Sequence, residues 1–542
     1  MGSAAYTIST TVATPALSPG AGTYSSVQQV TISDTTSGAS IYYTLSGTTP
    51  TTASAPYLEP VYVTTTETLS AIAVASGYTN SAVGSAAYTV SAGTPTRSFP
   101  TTSTTLLEFN DQTPLGSLST AQIQFLATNY AGSQKQLASE VTTLRGYNSD
   151  YLVLHYRLSE ELGYGECSGT TPTETDPLTI IDGNNWVEEW AWPGNPAPAA
   201  DASWFYQCDG TICTPSGSTI YDCGDQHWLM NITNTGWQNY YSQQVIKEIN
   251  DNEDDGVFAD SYSVPNYLGT TIWTPNLAAI DTSWEDAWAT DMTNFTTYMR
   301  AQFNGNWRWI PNAGPYVTTR DPATEYNNSD GVMFEDFVDY GNENFLAPAD
   351  WVTQMNRVLT LDNLNKVLLF ESYPNSGSAA TYERVYITAN ALLMQGEYTY
   401  LNLDTGGETL SWWPEYLISG LLGAPTQALP STATTISGFA KTSGNGTTYY
   451  QRNFANGMVL VNPTGSDTGT ISLGGTYYMV TGDSGGGAVP SGGTAPGTLS
   501  CTAVTSVDLT AGGTSSYGGD SCYDTNVSGG YCAAILLTNP NC

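Results

Sequence analysis

The sequence has few charged residues, and very few of them are basic. Charged residues make up 11% of the 542 residues, with 13 Lys and Arg against 49 Asp and Glu, for a formal net charge of −36. This balance argues against nucleic acid or an acidic membrane surface as a partner, because either polyanion would be repelled. A neutral polymer remains compatible with such a surface.

The sequence also lacks an apolar run of the ~18 residues that a transmembrane helix needs, so we expect no membrane insertion. We also expect no signal peptide at the start of this sequence, because residues 2–7 (GSAAYT) recur as residues 84–89. We therefore expect that the chain starts inside the last strand of a preceding copy of its own first domain. This interpretation makes it part of a longer, secreted bacterial protein with further modules.

Histidine is scarce, and no two cysteines have the two-residue spacing of a zinc or redox motif. We therefore expect no metal and no cofactor. The eight cysteines form two groups, and two local disulfides in each group imply an oxidising compartment. The pairing within each group stays open: Cys167, Cys208, Cys213 and Cys223, then Cys501, Cys522, Cys532 and Cys542.

What the sequence does contain is aromatic side chains, with 14 Trp and 36 Tyr in a chain long enough for several domains. We predict a multidomain protein with the following parts: the end of a preceding repeat (1–10), an immunoglobulin-like β-sandwich (11–93), a linker (94–104), a (β/α)₈ TIM barrel (105–428) that contains a disulfide-rich insertion (159–226), and a C-terminal antiparallel β-sandwich domain (429–542).

The barrel is predicted from strand-like and helix-like runs that alternate over ~310 residues. Nine strand-like runs occur where eight are needed, and we interpret the run Trp228–Ile232 as an excursion outside the barrel. The insertion follows the third strand, on the face where barrel enzymes place their active sites. We expect its Trp186 and Trp190 to stack on sugar rings.

Three apolar strand-like runs end in carboxylates, which are Asp260, Glu335 and Glu371. Such acids belong at the mouth of the barrel, because an unpaired buried carboxylate costs several kcal/mol. Glycoside hydrolysis needs one ionised and one protonated carboxyl group on either side of the scissile bond. We predict Asp260 and Glu335 as this pair in a retaining enzyme, with Glu371 as the alternative. Strand alternation places Glu335 inward and Asp336 outward.

Other strand ends supply polar groups that we expect to contact a neutral poly- or oligosaccharide substrate. In the case of Arg157, pairing with a catalytic carboxylate is a second possibility. These candidate substrate contacts are Asp111, His155, Tyr156, Arg157, Asn312 and Tyr316.

Two stretches of the first domain, 41–51 (IYYTLSGTTPT) and 69–83 (LSAIAVASGYTNSAV), resemble the chitobiase/β-hexosaminidase C-terminal-like module. This resemblance implies a small immunoglobulin-like sandwich that serves as a spacer or as a carbohydrate contact.

Three stretches of the central region, 129–157, 256–261 (GVFADS) and 331–337 (GVMFEDF), resemble the hypothetical glycosyl hydrolase family fifteen. That family is distantly related to the α-galactosidase and dextranase-like superfamily, in which an Asp nucleophile ends the fourth strand and the acid/base ends the sixth. By this pattern the resemblance implies that Asp260 is the nucleophile and Glu335 the acid/base.

The rival interpretation is a non-catalytic carbohydrate-binding or cell-surface scaffold protein on the same barrel. An open cleft in which Asp260 and Glu335 face each other favours the enzyme, and a blocked cleft favours the binder.

Overall fold

The structure of the protein is a computed structural model, which describes most of the chain. The described residues are 11–57, 59–111, 113–163, 167–168, 171–172, 204, 206–208, 218–219, 221–222, 227–262, 273–274, 282–317, 325–341, 344–374, 380–404, 409–464, 466–481, 485–509, 512–514, 520–521, 532–540 and 542. Within these residues, no helix combines the length and the hydropathy that crossing a bilayer requires.

The centre of the molecule is an eight-stranded parallel barrel. Its strands, numbered β1–β8 in chain order, are Leu107–Asn110, Gly132–Gln134, Leu152–Leu158, Gly256–Asp260, Arg308–Pro311, Gly331–Phe334, Val367–Ser372 and Thr399–Leu403. Strand β8 pairs in parallel with β1, and a parallel bridge between Asn312 and Met333 joins β5 to β6. The predicted fold class, a TIM barrel between β-rich regions, is confirmed.

Helices connect the strands on the outside of the barrel. They are α1 (Thr120–Asn129), α2 (Ala138–Tyr147), α3 (Thr235–Asp251), α4 (Thr282–Phe303), α5 (Pro348–Asn363), α6 (Ala380–Leu393) and α7 (Ile418–Leu422), with 3₁₀ turns at Leu115–Ser117, Glu325–Asn328, Pro414–Leu417 and Ile436–Phe439. Local sequence determines where two of these helices, α1 and α3, begin. Ser119 and Gln122 form a capping box on α1, and the Asn234 side chain accepts the first backbone N–H groups of α3.

Alternate residues of the strands fill the barrel, because successive side chains of a strand point to opposite faces. Tyr156 of β3 and Met333 of β6 belong to the interior cluster, whereas Phe334 packs outward among the helices. Phe99, from the stretch before β1, packs on the rings of Phe109 and Tyr400 at 5.9 and 5.4 Å between centroids. The N-terminal end of the barrel is thereby closed, and polar side chains that point inward are left at the C-terminal end.

Three of the barrel strands, β2, β4 and β6, begin with glycines that leave no room for a side chain. A Cβ atom at Gly256 would lie 2.5 Å from the carbonyl oxygen of Arg308, and one at Gly331 would lie 2.5 Å from that of Val367. These glycines allow β4 and β6 to approach their neighbours closely at one end. The same two strands lead to Asp260 and Glu335 at the other end.

The N-terminal region consists of two small sheets around a shared apolar core. One sheet contains Ala16–Ser18, Gln28–Ser33 and Val61–Val63, and the other contains Gly22–Tyr24, Gly84–Val90, Glu67–Val74, Ser40–Thr44 and Ala55–Pro56. The backbone N–H and C=O of Tyr62 bond to the side-chain amide of Gln243 on α3, at 2.7 and 3.0 Å. Asn304, just after α4, donates to the carbonyl oxygen of Thr64 at 2.6 Å. The region is therefore docked on the outside of the barrel.

The C-terminal region is antiparallel. Six strands form one sheet in the order Ala440–Thr442, Thr448–Phe454, Gly457–Val461, Ala533–Leu537, Thr470–Thr481 and Ser500–Asp508, and short pairs join Ser411–Trp412 to Gly487–Ala488 and Gly512–Thr514 to Asp520–Ser521. Arg452 of this sheet donates to three carbonyl oxygens at the end of α6, those of Leu392, Leu393 and Gln395, at 2.7–3.1 Å. A cation is favoured there, because carbonyl groups at a helix C-terminus carry partial negative charge.

The insertion after β3 forms small antiparallel sheets, one of which also includes a short strand that follows β4. Four strands, Glu161–Gly163, His227–Leu229, Tyr221–Asp222 and Trp273–Thr274, make one sheet, and two hairpins pair Cys167–Ser168 with Thr171–Pro172 and Gln207–Cys208 with Ser218–Thr219. The ninth strand-like run of the sequence therefore begins in this sheet, outside the barrel. The insertion also packs on the barrel, since the buried Trp204 contacts the rings of Trp237 and Tyr240 of α3.

Candidate active site

The C-terminal mouth of the barrel collects polar side chains from seven of its eight strand ends. Parallel strands of a barrel all end on the same side, so residues far apart in sequence meet there. These residues are Asp111 after β1, Lys135 after β2, Asp260 ending β4, Asn312 after β5, Glu335 after β6, Glu371 in β7 and Asp404 after β8.

The structure brings Asp260 and Glu335 together through one amide group. The Asn312 side-chain nitrogen donates to Oδ1 of Asp260 and to Oε2 of Glu335, each at 2.7 Å. The backbone N–H of Gly314 donates to the Asn312 side-chain oxygen at 3.0 Å, which fixes the orientation of the amide. The two carboxyl oxygens can therefore lie no farther apart than twice the hydrogen-bond length.

The other oxygen of each acid has its own donor. Tyr156 donates to Oδ2 of Asp260 at 2.6 Å, and Tyr373 donates to Oε1 of Glu335 at 2.6 Å. All four oxygens of the pair thus accept a hydrogen bond from a residue on a neighbouring strand or strand end. Such a network holds both carboxyl groups in one geometry.

The buried position of Glu335 suits it to act as a proton donor. Desolvation and the neighbouring charge of Asp260 raise the pKa of Glu335, while the hydrogen bonds from Tyr373 and Asn312 oppose the rise. A carboxyl group with a raised pKa keeps its proton to higher pH and can protonate a leaving group. Burial, with Glu335 as a smaller cause, also raises the pKa of Asp336 to about 7.

Left-handed backbone occurs at this edge of the barrel, as it also does at the opposite edge, at Glu253, Asn304 and Asn365. Lys135, Ser261 and Asp336 follow β2, β4 and β6 with φ values of 60°, 50° and 59°. This left-handed region is unfavourable for residues other than glycine and is found preferentially at functional sites. The strain lies where three strand ends turn away from the mouth.

On the other side of the mouth, Asp111 pairs with Lys135, whose ammonium lies 3.2 Å from Oδ2. Gln134 donates to the second oxygen of Asp111. Glu371 is only 2% exposed and receives one long hydrogen bond, from Asn402 at 3.4 Å. Burial and the charges of Asp111 and Asp404 raise the pKa of Glu371 well above its usual range.

More than half of the chain, residues 145–458, matches a family model described as Hypothetical glycosyl hydrolase family 15. The chain belongs to this family. The prediction of a glycoside hydrolase is thereby confirmed, and the matched stretch contains Asp260, Glu335, Glu371 and Asp404. Asp111 and Lys135 precede it in the sequence and reach the same mouth through β1 and β2.

A second family model, the chitobiase/beta-hexosaminidase C-terminal domain, matches residues 19–85 and confirms the resemblance of the first domain. Among curated proteins, none matches. A crystal structure of a Paenibacillus sp. cycloisomaltooligosaccharide glucanotransferase complexed with cycloisomaltoheptaose is 13% identical, with 97% of this chain and 72% of that chain covered and a TM-score of 0.32. At that TM-score the similarity says nothing about the fold or the substrate of this family member.

Several predicted substrate contacts lie away from the mouth. His155 and Arg157 point outward from β3 towards α3, where Arg157 pairs with Glu248 and Nδ1 of His155 lies 2.9 Å from Asp254. The structure therefore pairs Arg157 with a helix residue instead of a catalytic carboxylate. Tyr316 is 1% exposed and lies under the Arg357 guanidinium, 4.1 Å from its ring centroid, so it is packed in the core.

Of the remaining predictions, Tyr156, Asn312 and Asp111 do lie at the mouth, whereas Trp186 and Trp190 lie outside the described residues. In the second cysteine group, Cys501 and Cys542 form a disulfide, and Cys532 is disulfide-bonded as well. The side chains of the other predicted cysteines lie outside the described part of the chain: Cys167, Cys208, Cys213, Cys223 and Cys522.

Three mouth residues were absent from the predicted site, namely Lys135, Tyr373 and Asp404. Each lies one residue beyond the end of a barrel strand. The rule that found Asp260 would have found them, had it been applied to every polar residue that follows a strand instead of to acids within apolar runs.

Proposed function

We propose that the protein is a secreted, retaining glycoside hydrolase that acts on a neutral poly- or oligosaccharide, with Asp260 as nucleophile and Glu335 as acid/base. The observation that carries the proposal is the Asn312 amide, which bonds to both carboxyl groups at 2.7 Å. Because the nearest oxygens of the two acids lie within twice this hydrogen-bond length, the pair is compatible with the ~5–5.5 Å carboxyl separation of retaining enzymes, which supports this mechanism over the ~6.5–9.5 Å arrangement of inverting ones.

In the first step, a carboxylate oxygen of Asp260 attacks the anomeric carbon, while Glu335 gives its proton to the glycosidic oxygen and the leaving sugar departs. In the second step, ionised Glu335 takes a proton from water, whose oxygen attacks the anomeric carbon and releases Asp260. The raised pKa of Glu335 supports its role as the first proton donor. The donors Tyr156 and Asn312 support Asp260 as the residue that bears charge.

The substrate class and the location follow from charge and cysteine chemistry. With a net charge of −36, the protein would repel an anionic polysaccharide, so a neutral one is favoured. The disulfide between Cys501 and Cys542 is typical of an oxidising, extracellular environment.

The proposal is tested by incubating the protein with a panel of 4-nitrophenyl glycosides and neutral polysaccharides. Proton NMR then follows the anomer that is released first from the cleaved substrate. We expect the anomeric configuration of the substrate to be kept. Release of the opposite anomer would exclude the retaining mechanism, and binding without hydrolysis across the panel would favour the carbohydrate-binding alternative.

The nucleophile is identified by chemical rescue. Asp260→Ala should lose at least about 10³-fold in turnover, and azide, which fits the space of the lost carboxylate, should restore it by forming a glycosyl azide of inverted configuration. Asp330→Asn is a matched control, since Asp330 precedes β6 at the opposite end of the barrel, in an ion pair with Arg300 at 2.6 Å. It should keep wild-type turnover.

A further inference from the structure

The half of the mouth opposite the catalytic pair contains a second group of charged side chains. We call it the acid–lysine cluster, and its members are Asp111, Lys135, Glu371 and Asp404. One carboxyl oxygen from each of the three acids lies within 4.8 Å of the other two. The cluster joins the ends of β7, β8, β1 and β2, which are far apart in sequence and neighbours in the barrel.

One buried oxygen of the cluster lacks a hydrogen-bond partner. Oε1 of Glu371 is buried and has no hydrogen-bond partner among the described residues. A buried polar atom without a partner costs about 1–3 kcal/mol, so such atoms call for an explanation. By contrast, Asp260 and Glu335, at the same mouth, have a donor for every oxygen.

The cluster has as many donors as acceptors. Burial and the charges of the two neighbouring acids raise the pKa of Glu371, which favours the protonated carboxyl group, a hydrogen-bond donor, and the ammonium of Lys135 donates as well. Asp111 and Asp404 accept. Each sugar hydroxyl can donate one hydrogen bond and accept others. Two hydroxyl groups side by side can therefore donate to the two acids and accept from the two donors at once.

We propose that the acid–lysine cluster binds two adjacent free hydroxyl groups of the sugar ring that is attacked at its anomeric carbon. This inference rests on the proposed function and deepens it, because it makes the cluster the specificity site of the enzyme. The substrate it selects is a neutral sugar that is unsubstituted at both positions. A carboxylate there would be repelled by Asp111 and Asp404, and an N-acetyl group would remove one of the two hydroxyls.

The cluster is connected to the catalytic pair through Tyr156. The ammonium of Lys135 lies 4.9 Å from the centroid of the Tyr156 ring, and the hydroxyl of the same tyrosine donates to Asp260. A sugar ring that spans the mouth can thus meet the cluster at one edge and Asp260 at the other. The cluster contacts the part of the ring remote from the bond that is cleaved.

The presence of Lys135 favours a site that binds hydroxyl groups over a site that binds a metal cation. Three carboxylates can hold a divalent ion, but ligands of Ca²⁺ and Mg²⁺ are oxygen atoms only. Here the ammonium of Lys135 lies 3.2 Å from Oδ2 of Asp111 and would repel a cation bound beside it. A cluster that contains both hydrogen-bond donors and acceptors is suited to a hydroxyl group, which can donate and accept.

The test uses the 4-nitrophenyl glycoside that the panel identifies and its monodeoxy derivatives, each with wild type and with Asp404→Asn. Wild type should lose roughly 10- to 100-fold in kcat/KM on the two derivatives that lack the adjacent hydroxyls, as expected for hydrogen bonds to charged groups. Asp404→Asn should lose a similar factor on the parent glycoside and no longer discriminate against one of these derivatives. The intrinsic reactivity of each derivative cancels in this comparison, and Asp330→Asn should keep all wild-type ratios.

A second variant tests the protonated state of Glu371. Glu371→Gln replaces an acid hydroxyl by an amide that still donates, so kcat/KM should stay within about tenfold of wild type and discrimination should persist. Equal losses of Asp404→Asn on the parent and on every derivative would overturn the proposal. So would a rise in melting temperature on addition of CaCl₂ that wild type shows and Asp404→Asn does not. Full activity of an Asp260→Ala variant would contradict the assignment of Asp260 as the nucleophile. The ratios of kcat/KM between the parent glycoside and its deoxy derivatives would still test the role of the cluster.

Discussion

In one half of the barrel mouth, at the ends of β4 to β6, every oxygen of Asp260 and Glu335 accepts a hydrogen bond from the protein. In the other half, at the ends of β7, β8, β1 and β2, a buried oxygen of Glu371 accepts none from the described part of the chain. Both halves contain carboxyl groups from strand ends of the same barrel. The first half is fixed in geometry before a substrate arrives, as a reacting pair must be, whereas the second half has hydrogen-bonding capacity left for a ligand.

The largest expected effect comes from replacing the carboxylate of one residue in each half, Asp260 or Glu371, by its amide. Asp260→Asn should lower kcat at least about 10³-fold, because an amide cannot attack the anomeric carbon. Glu371→Gln should lower kcat/KM by no more than about tenfold, because the amide still donates. The measurement is steady-state kinetics on one glycoside. If Glu371→Gln proved as inactive as Asp260→Asn, the alternative pair with Glu371 would have to be restored.

A smaller effect is expected from the amide that joins the pair. Asn312→Ala should reduce kcat about 10- to 100-fold with little change in KM, since misplacement of a reacting group by about 1 Å can cost 10²-fold. Because the Asn312 hydrogen bond lowers the pKa of Glu335, its loss should also move the basic limb of the pH profile upward. A purely structural role for Asn312 predicts a loss of folded protein without any movement of that limb.

Tyr373→Phe isolates the electrostatic part of the same effect. Glu335 must hold its proton to act as the acid, so activity falls as the pH rises through its pKa. The hydrogen bond from Tyr373 lowers this pKa, and its removal should shift the basic limb of kcat/KM to higher pH. A limb that stays in place or moves to lower pH would show that another group controls it.

The smallest effect on catalysis is expected outside the mouth. Glu67, in the N-terminal region, also has a buried oxygen without a partner, but it belongs to no acid cluster among the described residues. Burial raises its pKa to about 8 from 4.5. The folded state therefore favours the protonated form, and the stability this contributes is complete below pH 4.5 and is lost as the pH rises to about 8.

Glu67→Gln should accordingly raise the free energy of unfolding of this region by on the order of 2–4 kcal/mol at pH 8 and leave it nearly unchanged at pH 4. Urea denaturation at the two pH values measures the difference. Turnover and deoxy-sugar discrimination should equal those of wild type. A change in discrimination would mean that an unpaired buried acid affects substrate selection even outside the mouth. The unpaired oxygen of Glu371 would then no longer be evidence for a binding site in its half of the mouth.

Much of this architecture follows from local sequence. Apolar runs that end in Asp260, Glu335 and Glu371 mark barrel strands, and the strict alternation of a strand places Met333 and Glu335 on one face. Capping residues such as Ser119 mark where helices begin. The family resemblance adds the order of the catalytic strands. These features are encoded within a few residues of one another, and they were predictable for that reason.

The tertiary structure decided which strand ends face one another and which side chains turn away. His155 and Arg157 flank Tyr156 in sequence, yet only Tyr156 points into the barrel, because α3 offers Glu248 and nearby Asp254 to the outer face. The contacts of Asn312 with both acids and of Lys135 with Asp111 join strand ends that are 23 to 52 residues apart. The approach of Glu371 and Asp404 to Asp111 depends on closure of the barrel. Sequence alone placed the acids at strand ends. Long-range packing then determined which of them are held by donors and which retain an unpaired oxygen.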